Sequence, residues 1–341
     1  MKNFDKAKIL CIGDLILDCY AIGEVDKISP EAPIPIFKSR KKEFILGGAG
    51  NVARNISAGG GSCTLISVVG KDNPGKKMIK LLKNEKNIEP FLIIDPERMT
   101  TFKTRFVSGP QQILRVDDEI CTDIDNKLEN KLFKIFSRNI KRCDVVVISD
   151  YSKGILTSKL LRLIIKESKK AKKLVIVDPK KDDFSIYKGA DIITPNYKEL
   201  LNATSQFVSN KINEEEKISS LSKSLIKRNL FNTVITTRSS KGMVIYSKDK
   251  KFNLSSEALE VFDVSGAGDT AVAYLSLGIS AGLDLNKAAY FANKAAGIAV
   301  GKFGTAAVRY FELNKNHDFD KKLTISEAVK FLDTIRTDKK I

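Results

Sequence analysis

The sequence predicts an α/β fold of three layers, a mainly parallel central sheet with helices on both faces and a small β-sheet lid. Three observations lead there. First, short apolar, mostly β-branched runs recur along the chain at Ile9–Ile12, Leu65–Val69, Val145–Ile148, Leu174–Val177, Ile192–Ile193 and Val234–Thr236, as strands buried on both faces require. Second, segments of helical periodicity lie between them, at Lys76–Asn84, Leu128–Ser137, Ser158–Ser168 and Lys217–Lys227. Strands that alternate with helices must run mostly parallel, because each crossover helix returns the chain to the same edge of the sheet. Third, Pro33–Leu46 and Thr100–Val116 break the alternation: both are extended, of mixed polarity and without a helix attached, and Ser108-Gly109-Pro110 supplies a turn inside the second. They are expected to pair as a small antiparallel sheet that serves as a lid or a dimerisation surface.

Composition excludes several kinds of chemistry. Of 341 residues, 43% are hydrophobic and 29% charged, the profile of a globular chain with ample core. The single histidine, His317, removes paired-histidine zinc sites and leaves a serine hydrolase triad only a residue near the end of the sequence. Five cysteines without C-x-x-C spacing read as reduced packing thiols. The charge-free stretch Thr270–Leu283 is shorter than the ~20 residues of a membrane span. The apolar run from Ile9 is cut by Gly13-Asp14, so no secretory segment forms there. A cytoplasmic protein without a membrane partner is expected. The net charge of +17 comes from 46 Lys and only 12 Arg, scattered along the chain. Base readout and phosphate forks favour Arg, and no nucleic-acid-binding motif accompanies the charge. It is read as a lysine-rich solvated surface, with no nucleic-acid partner, compatible with an anionic substrate.

The segment from Val261 to Thr270, VFDVSGAGDT, carries the chemistry. Gly266, Ala267 and Gly268 allow a tight turn whose N–H groups point one way, at the positive end of a helix running from about Asp269 to Gly282. Such a turn can bind a phosphate or a phosphoryl group in flight, and Asp269 stands where a carboxylate could take the proton of an attacking hydroxyl. Spacing alone allows equally that Asp269 is a helix N-cap and the glycines simple turn residues. Gly48–Ala53 and Gly266–Ala271 also match the G-x-G-x-x-[GA] dinucleotide pattern, but neither follows the first strand of a βαβ unit, so a dehydrogenase is the weaker reading.

DVSGAGDT resembles the C-terminal signature of the ribokinase-like (PfkB) carbohydrate kinases, and Gly47–Ala53 resembles their N-terminal glycine signature. The segments ISPEAPIPI, SDYSKG, DPK, TPN, TRSSKGM and FANKAAGIAVGKFGT are similar to the branch that phosphorylates D-glycero-β-D-manno-heptose 7-phosphate for lipopolysaccharide synthesis. The resemblance runs from about Lys8 to Val308. It implies a ribokinase-like kinase domain over residues 1–310, with lid strands from about 15–46 and 95–116, and a helical tail over 311–341. It implies that ATP phosphorylates the anomeric hydroxyl, with Asp269 as base and Gly266, Ala267 and Gly268 as anion hole. Asn196 and Glu199 match an N-x-x-E element that organises Mg²⁺ and the ATP phosphates, usually through water. With Asn196 three residues before it, Glu199 is less readily taken as a plain first-turn helix acid.

Sugar recognition is expected from Asp14 and Asp18, from Gly47 and Gly48, where backbone can approach closely, and from Asn51. Lys103, Arg105 and Arg115 lie on the lid strands, where they could hold the 7-phosphate or be ordinary exposed strand charges. Asp150, Lys153, Asp178 and Lys180 stand just past strand ends, where open α/β sheets bind ligands. Thr237, Arg238 and Gly242 are expected to cover the ATP phosphates, and Asn293, Ala296 and Gly297 to wall the adenine, although an Ala- and Gly-rich helix is also what close packing produces. Many family members use a monovalent cation such as K⁺, which would sit by Asp263 and the Gly304-Thr305 loop. A homodimer through the lid strands is expected from the family. Some members carry an appended nucleotidyltransferase with an H-x-G-H motif; one histidine cannot make it, and residues from Phe311 onward are too few for such a domain, so that step is expected of another protein. A kinase for another sugar, or a nucleotide-binding regulator without turnover, are the alternatives.

Overall fold

The computed structural model describes residues 4–109, 111–204, 213–247, 250–257 and 261–314. The chain enters through β1 (Lys8–Gly13), a strand in which successive side chains serve opposite faces. Ile9 and Cys11 belong to one buried core, Leu10 and Ile12 to the other. Val145 to Ile148 in β8 (Val145–Ser149) repeat that alternation. Both faces are therefore covered, as the apolar runs predict.

The nine strands of the main sheet lie in the order β13-β12-β11-β10-β9-β8-β1-β4-β5. The others are β4 (Ser62–Gly70), β5 (Ile88–Asp95), β9 (Leu174–Asp178), β10 (Ile192–Ile193), β11 (Thr233–Thr237), β12 (Met243–Ser247) and β13 (Lys250–Leu254). Strands β5 to β11 in that order pair parallel, and β12 and β13 add antiparallel at the edge. One face is covered by α1 (Ala49–Ala58), α2 (Asn73–Lys83), α7 (Ala267–Ser280) and α8 (Leu285–Ala299). The other carries α3 (Asn126–Asn139), α4 (Ser158–Lys170), α5 (Tyr197–Asn202) and α6 (Glu214–Asn229). Side-chain caps start most of them: Asp72, Asp125, Thr157, Asn213 and Asp284 each accept a backbone N–H of the first turn. Helix α7 is an exception that matters below.

The lid departs from expectation in its pairing. Its order is β3-β2-β6-β7, with β2 (Leu15–Ile28) between the two predicted segments, β3 (Pro35–Gly48) and the hairpin β6 (Phe102–Ser108) and β7 (Gln111–Asp118). Strands β2 and β3 are antiparallel, as are β6 and β7, but β2 and β6 run parallel, so the sheet is mixed and not antiparallel. The reason is connectivity: between β3 and β6 the chain passes through α1, β4, α2 and β5 of the main body, and such a long crossover can return it in the same direction. The predicted tail over 311–341 lies outside the described residues beyond a short 3₁₀ turn at Tyr310–Asn314. Among the described residues, no helix is long and apolar enough to cross a membrane.

Candidate active site

Helix α7 begins without any side-chain cap. Gly266 precedes it in the left-handed region (φ 78°), and a Cβ there would fall 2.5 Å from Nδ2 of Asn51. Glycine is needed at this position for both reasons. The first helical bond runs from Thr270 N–H to the Gly266 carbonyl, and the N–H groups of Gly268 and Asp269 find no acceptor among the described residues. Open space surrounds Gly268. Two uncapped donors at a helix N-terminus thus face the cleft.

Asp269 is the third residue of α7 and caps nothing; the N-cap alternative does not hold. Its carboxylate is buried, 2% exposed, and each oxygen accepts one hydrogen bond. Asn51 on α1 donates to Oδ2 at 2.8 Å, and the hydroxyl of Tyr151, just past β8, donates to Oδ1 at 2.7 Å. Burial pushes the carboxyl up to about 7, the two hydrogen bonds oppose the rise, and the charge of Asp18 adds to it. A carboxylate poised there suits a general base working near neutrality.

Asp14, just past β1, is fully buried. Its Oδ2 accepts the N–H groups of Tyr151 (2.8 Å) and Lys153 (3.1 Å), while Oδ1 has no partner. Burial and the neighbouring Asp150 raise its carboxyl to about 6. Asp150 accepts from Ser152 N–H and the Tyr187 hydroxyl, both at 2.7 Å, so it shapes the loop. Asn51 is oriented by Asn55, whose amide donates to the Asn51 Oδ1 at 3.1 Å.

The lid residues are brought together, but not as free cations. Arg105 donates to Asp18 and lies 5.3 Å from the Tyr20 ring. Gly47 is where backbone yields to this pair, since a Cβ there would sit 2.3 Å from Asp18 Oδ2. Gly48 leads into α1, where Ala49 N–H bonds the Asp14 carbonyl at 3.0 Å. Lys103 pairs with Asp117 (2.7 Å) and Glu119 (2.9 Å), Lys153 with Glu119 (2.7 Å), and half-exposed Arg115 with Asp117 (2.9 Å). In this structure Lys103, Arg105, Arg115 and Lys153 each have an acid beside them.

Two cavities meet at Thr237, Met243, Gly268 and Ala271. The smaller, about 180 Å³, is lined among others by Tyr151, Asp178, Lys180, Asn196 and Glu199. The larger, about 410 Å³, takes Gly242, Asn293, Ala296 and Gly297 in its wall. Asn293 is fixed by donating to the Ser255 carbonyl at 2.7 Å. Arg238 lines neither cavity. Its guanidinium lies 3.9 and 3.6 Å from Glu214 and Glu215 of α6 and donates to the Lys241 carbonyl, so it braces the turn between β11 and β12. In this structure the two acids on α6 hold it beside that turn.

Asn196 and Glu199 form a reciprocal capping box that starts α5: each side chain accepts the other's N–H at 2.9 Å. The plain helix-acid reading of Glu199 is thus present after all. Its second oxygen receives Lys180 at 3.0 Å and faces the smaller cavity. Asp178 is held well above the ordinary carboxylate range by burial and by the charges of Asp269 and Glu199. An oxygen-rich pocket of this kind fits Mg²⁺, whose charge would favour the ionised form of Asp178. Among the described residues, no three acidic, Cys or His side chains stand close enough to hold a metal directly, so an ion here would keep most of its waters. Asp263 accepts Ser265 N–H (2.8 Å) and Gly304 N–H (3.2 Å), joining the loop before α7 to the 304–305 loop.

Sequence reasoning missed Tyr151, Asn55, Asp117 and Glu119. Tyr151 lay within SDYSKG, flanked by residues that drew attention for their charge; its direction toward a carboxylate 118 residues away has no local signal.

The pfkB family carbohydrate kinase model matches residues 6–309. The chain is 43% identical over 306 residues to the bifunctional protein HldE of Paramagnetospirillum magneticum, covering 89% of this chain and 62% of that protein. It is 42% identical to HldE of Caulobacter vibrioides, covering 92% and 64%. It spans less than two thirds of the length of these relatives. Among solved structures it superposes on Arabidopsis thaliana ribokinase complexed with ribose and ATP (TM-score 0.69, 19% identity, 91% of this chain and 99% of that one). It also superposes on Escherichia coli phosphofructokinase-2 in complex with potassium (TM-score 0.72, 19% identity, 91% and 97%). Sheet, lid and matched residues agree, and the chain belongs to the pfkB family of carbohydrate kinases.

Proposed function

We propose that this protein transfers the γ-phosphoryl group of ATP to the anomeric hydroxyl of D-glycero-β-D-manno-heptose 7-phosphate, giving the 1,7-bisphosphate that leads to ADP-heptose and the lipopolysaccharide core. The observation that carries a kinase is the pairing of a buried Asp269 carboxylate with the uncapped N–H groups of Gly268 and Asp269. The heptose is supported by the motif resemblance and by the identity to HldE proteins over nine tenths of the chain.

In this reading Asp269 takes the O1 proton as O1 bonds to the γ-phosphorus, the bond to the β–γ bridging oxygen breaks, and ADP leaves. The Gly266–Gly268 turn donates N–H bonds to the transferring oxygens, where charge is greatest in the transition state. Asp14, Asp18, Asn51 and the backbone at Gly47 and Gly48 surround the sugar. Lys103, Arg115 and Lys153 hold its 7-phosphate by exchanging Asp117 and Glu119 for it. Thr237, Gly242, Asn293, Ala296 and Gly297 hold the nucleotide. Asn196 and Glu199 would hold Mg²⁺ through water, where it neutralises charge on the ATP phosphates. K⁺, which the Escherichia coli phosphofructokinase-2 structure contains, would have its place by Asp263 and Gly304. Ile28, Ile34 and Leu114, large apolar side chains exposed on or beside the lid strands, support pairing of two lids in a homodimer.

Release of ADP measured with the heptose 7-phosphate, fructose 6-phosphate, ribose and adenosine tests the assignment. The heptose is expected to give the highest kcat/KM, and a higher value for any of the others would overturn it.

A further inference from the structure

We propose that Tyr151 is a positioning residue for phosphoryl transfer, whose hydroxyl holds the Asp269 carboxylate in one orientation together with the Asn51 amide. The inference rests on Asp269 being the base and assigns a role to the phenol that touches it.

The loop that carries Tyr151 is anchored at each of its residues. Asp150 N–H bonds the Asp178 carbonyl at 3.0 Å, Tyr151 and Lys153 donate N–H to the buried Asp14, and the Arg98 guanidinium grips the Lys153 carbonyl. Ser152 is held in the left-handed region (φ 54°), a conformation that costs free energy for a residue with a Cβ and persists only where surroundings enforce it. The reward for that construction is a phenol aimed at Oδ1 of Asp269 from 2.7 Å. Asn51 is fixed in the same way, since Asn55 donates to its Oδ1 and so turns its Nδ2 toward Asp269.

A carboxylate oxygen accepts about two hydrogen bonds. With one donor on each oxygen, both keep one acceptor site, and the plane of the group is set before a substrate arrives. Burial and Asp269 itself push the Tyr151 phenol well above its usual range, so it remains a donor across the working range of pH. The other titratable groups that act on Asp269 or are acted on by it are Asp18 on β2, Asp178 at the end of β9 and the buried Cys11 on β1. None of these three donates to it.

Tyr151→Phe keeps the ring and deletes the donor. With aspartate ¹³C-labelled at the carboxyl, the Asp269 resonance is assigned by its loss in Asp269→Asn, and its titration is followed by NMR in both proteins. The expected result is a midpoint about one pH unit higher in Tyr151→Phe, because a lost hydrogen bond to a charged group favours the protonated form. The acid limb of kcat/KM is expected to move with it while KM for ATP stays within about twofold. Coincident titrations would overturn the proposal and leave Tyr151 as cavity wall. Should Tyr151→Phe not fold, protein grown with 3-fluorotyrosine, a stronger donor, gives the second arm: the midpoint falls if the proposal holds, and an unmoved midpoint overturns it. The titration needs no turnover, so a protein that phosphorylates no sugar would end the functional reading without touching this result.

Discussion

The amide nitrogen of Asn51 lies 2.8 Å from a carboxylate oxygen of Asp269, across 218 residues of chain. Nothing local joins them. Helices α1 and α7 share one core, in which Val52 and Ile56 of the first and Tyr274 and Leu277 of the second are buried, and Gly266 lets the amide pass beside the α7 turn. Tertiary packing thus brings the Asp269 carboxylate its partner.

Asn51→Ala removes one of the two donors that oppose protonation of Asp269. The acid limb of the kcat/KM profile is expected to move up, and kcat/KM at pH 7 to fall about 10- to 100-fold, the worth of a hydrogen bond to a charged group. Asn51→Asp is expected to do more, because a second carboxylate at 2.8 Å adds repulsion. Steady-state rates from pH 5.5 to 9 check both, and an unmoved limb would contradict the assignment.

Stability is expected to fall as pH rises through neutrality. Asp269 and Asp14 have folded-state values raised to about 7 and about 6, above their usual carboxylate value. Between that usual value and the raised one the folded state binds the proton more tightly than the unfolded chain, so stability declines with increasing pH over this window. From pH 6 to pH 8 the two groups together give a loss of about 2 kcal/mol. Asp72, Asp117 and Glu119 are lowered and act in the opposite sense, but below the usual carboxylate range. Calorimetry without ligand is expected to show a higher Tm at pH 6 than at pH 8, with a flatter slope in Asp269→Asn; a Tm that rises with pH would refute this.

Arg105 and Arg115 are expected to separate into structure and binding. Arg105→Ala leaves Asp18 buried without its partner, at a cost of about 3 kcal/mol. Arg115 is 49% exposed, and its removal is expected to change stability by less than ~0.5 kcal/mol while raising KM for a phosphorylated sugar. Denaturant melts and sugar-phosphate KM values of the two variants distinguish them. Equal stability losses would refute the division.

Glu119 spans Lys103 and Lys153 at 2.9 and 2.7 Å, and in the proposed function the sugar's 7-phosphate displaces it there. Glu119→Gln is therefore expected to lower KM for the sugar phosphate several-fold and to leave that of an unphosphorylated sugar unchanged. An increase in KM for the phosphate would show that the acid positions the lysines instead of competing for them.

The apolar runs and helical periodicities were legible because burial on both faces leaves a plain mark on sequence, and the Gly266–Asp269 turn because its chemistry is compact. The parallel pairing of β2 with β6 was not legible, since a crossover through the main body determines it. Arg238 stands beside Thr237 and near Gly242, which line the larger cavity, while its own ion pairs run to Glu214 and Glu215 of α6, acids that its sequence neighbourhood does not reveal. The capping box of Asn196 and Glu199 was visible as N-x-x-E, yet the spacing that serves a metal also serves a helix start.

The most direct measurement is ³¹P NMR of the product formed from ATP, Mg²⁺ and D-glycero-β-D-manno-heptose 7-phosphate. A new phosphate on the anomeric oxygen, absent with Asp269→Asn, is the expected result. A phosphate at another position, undiminished formation with Asp269→Asn, or no product while ATP still binds would contradict it.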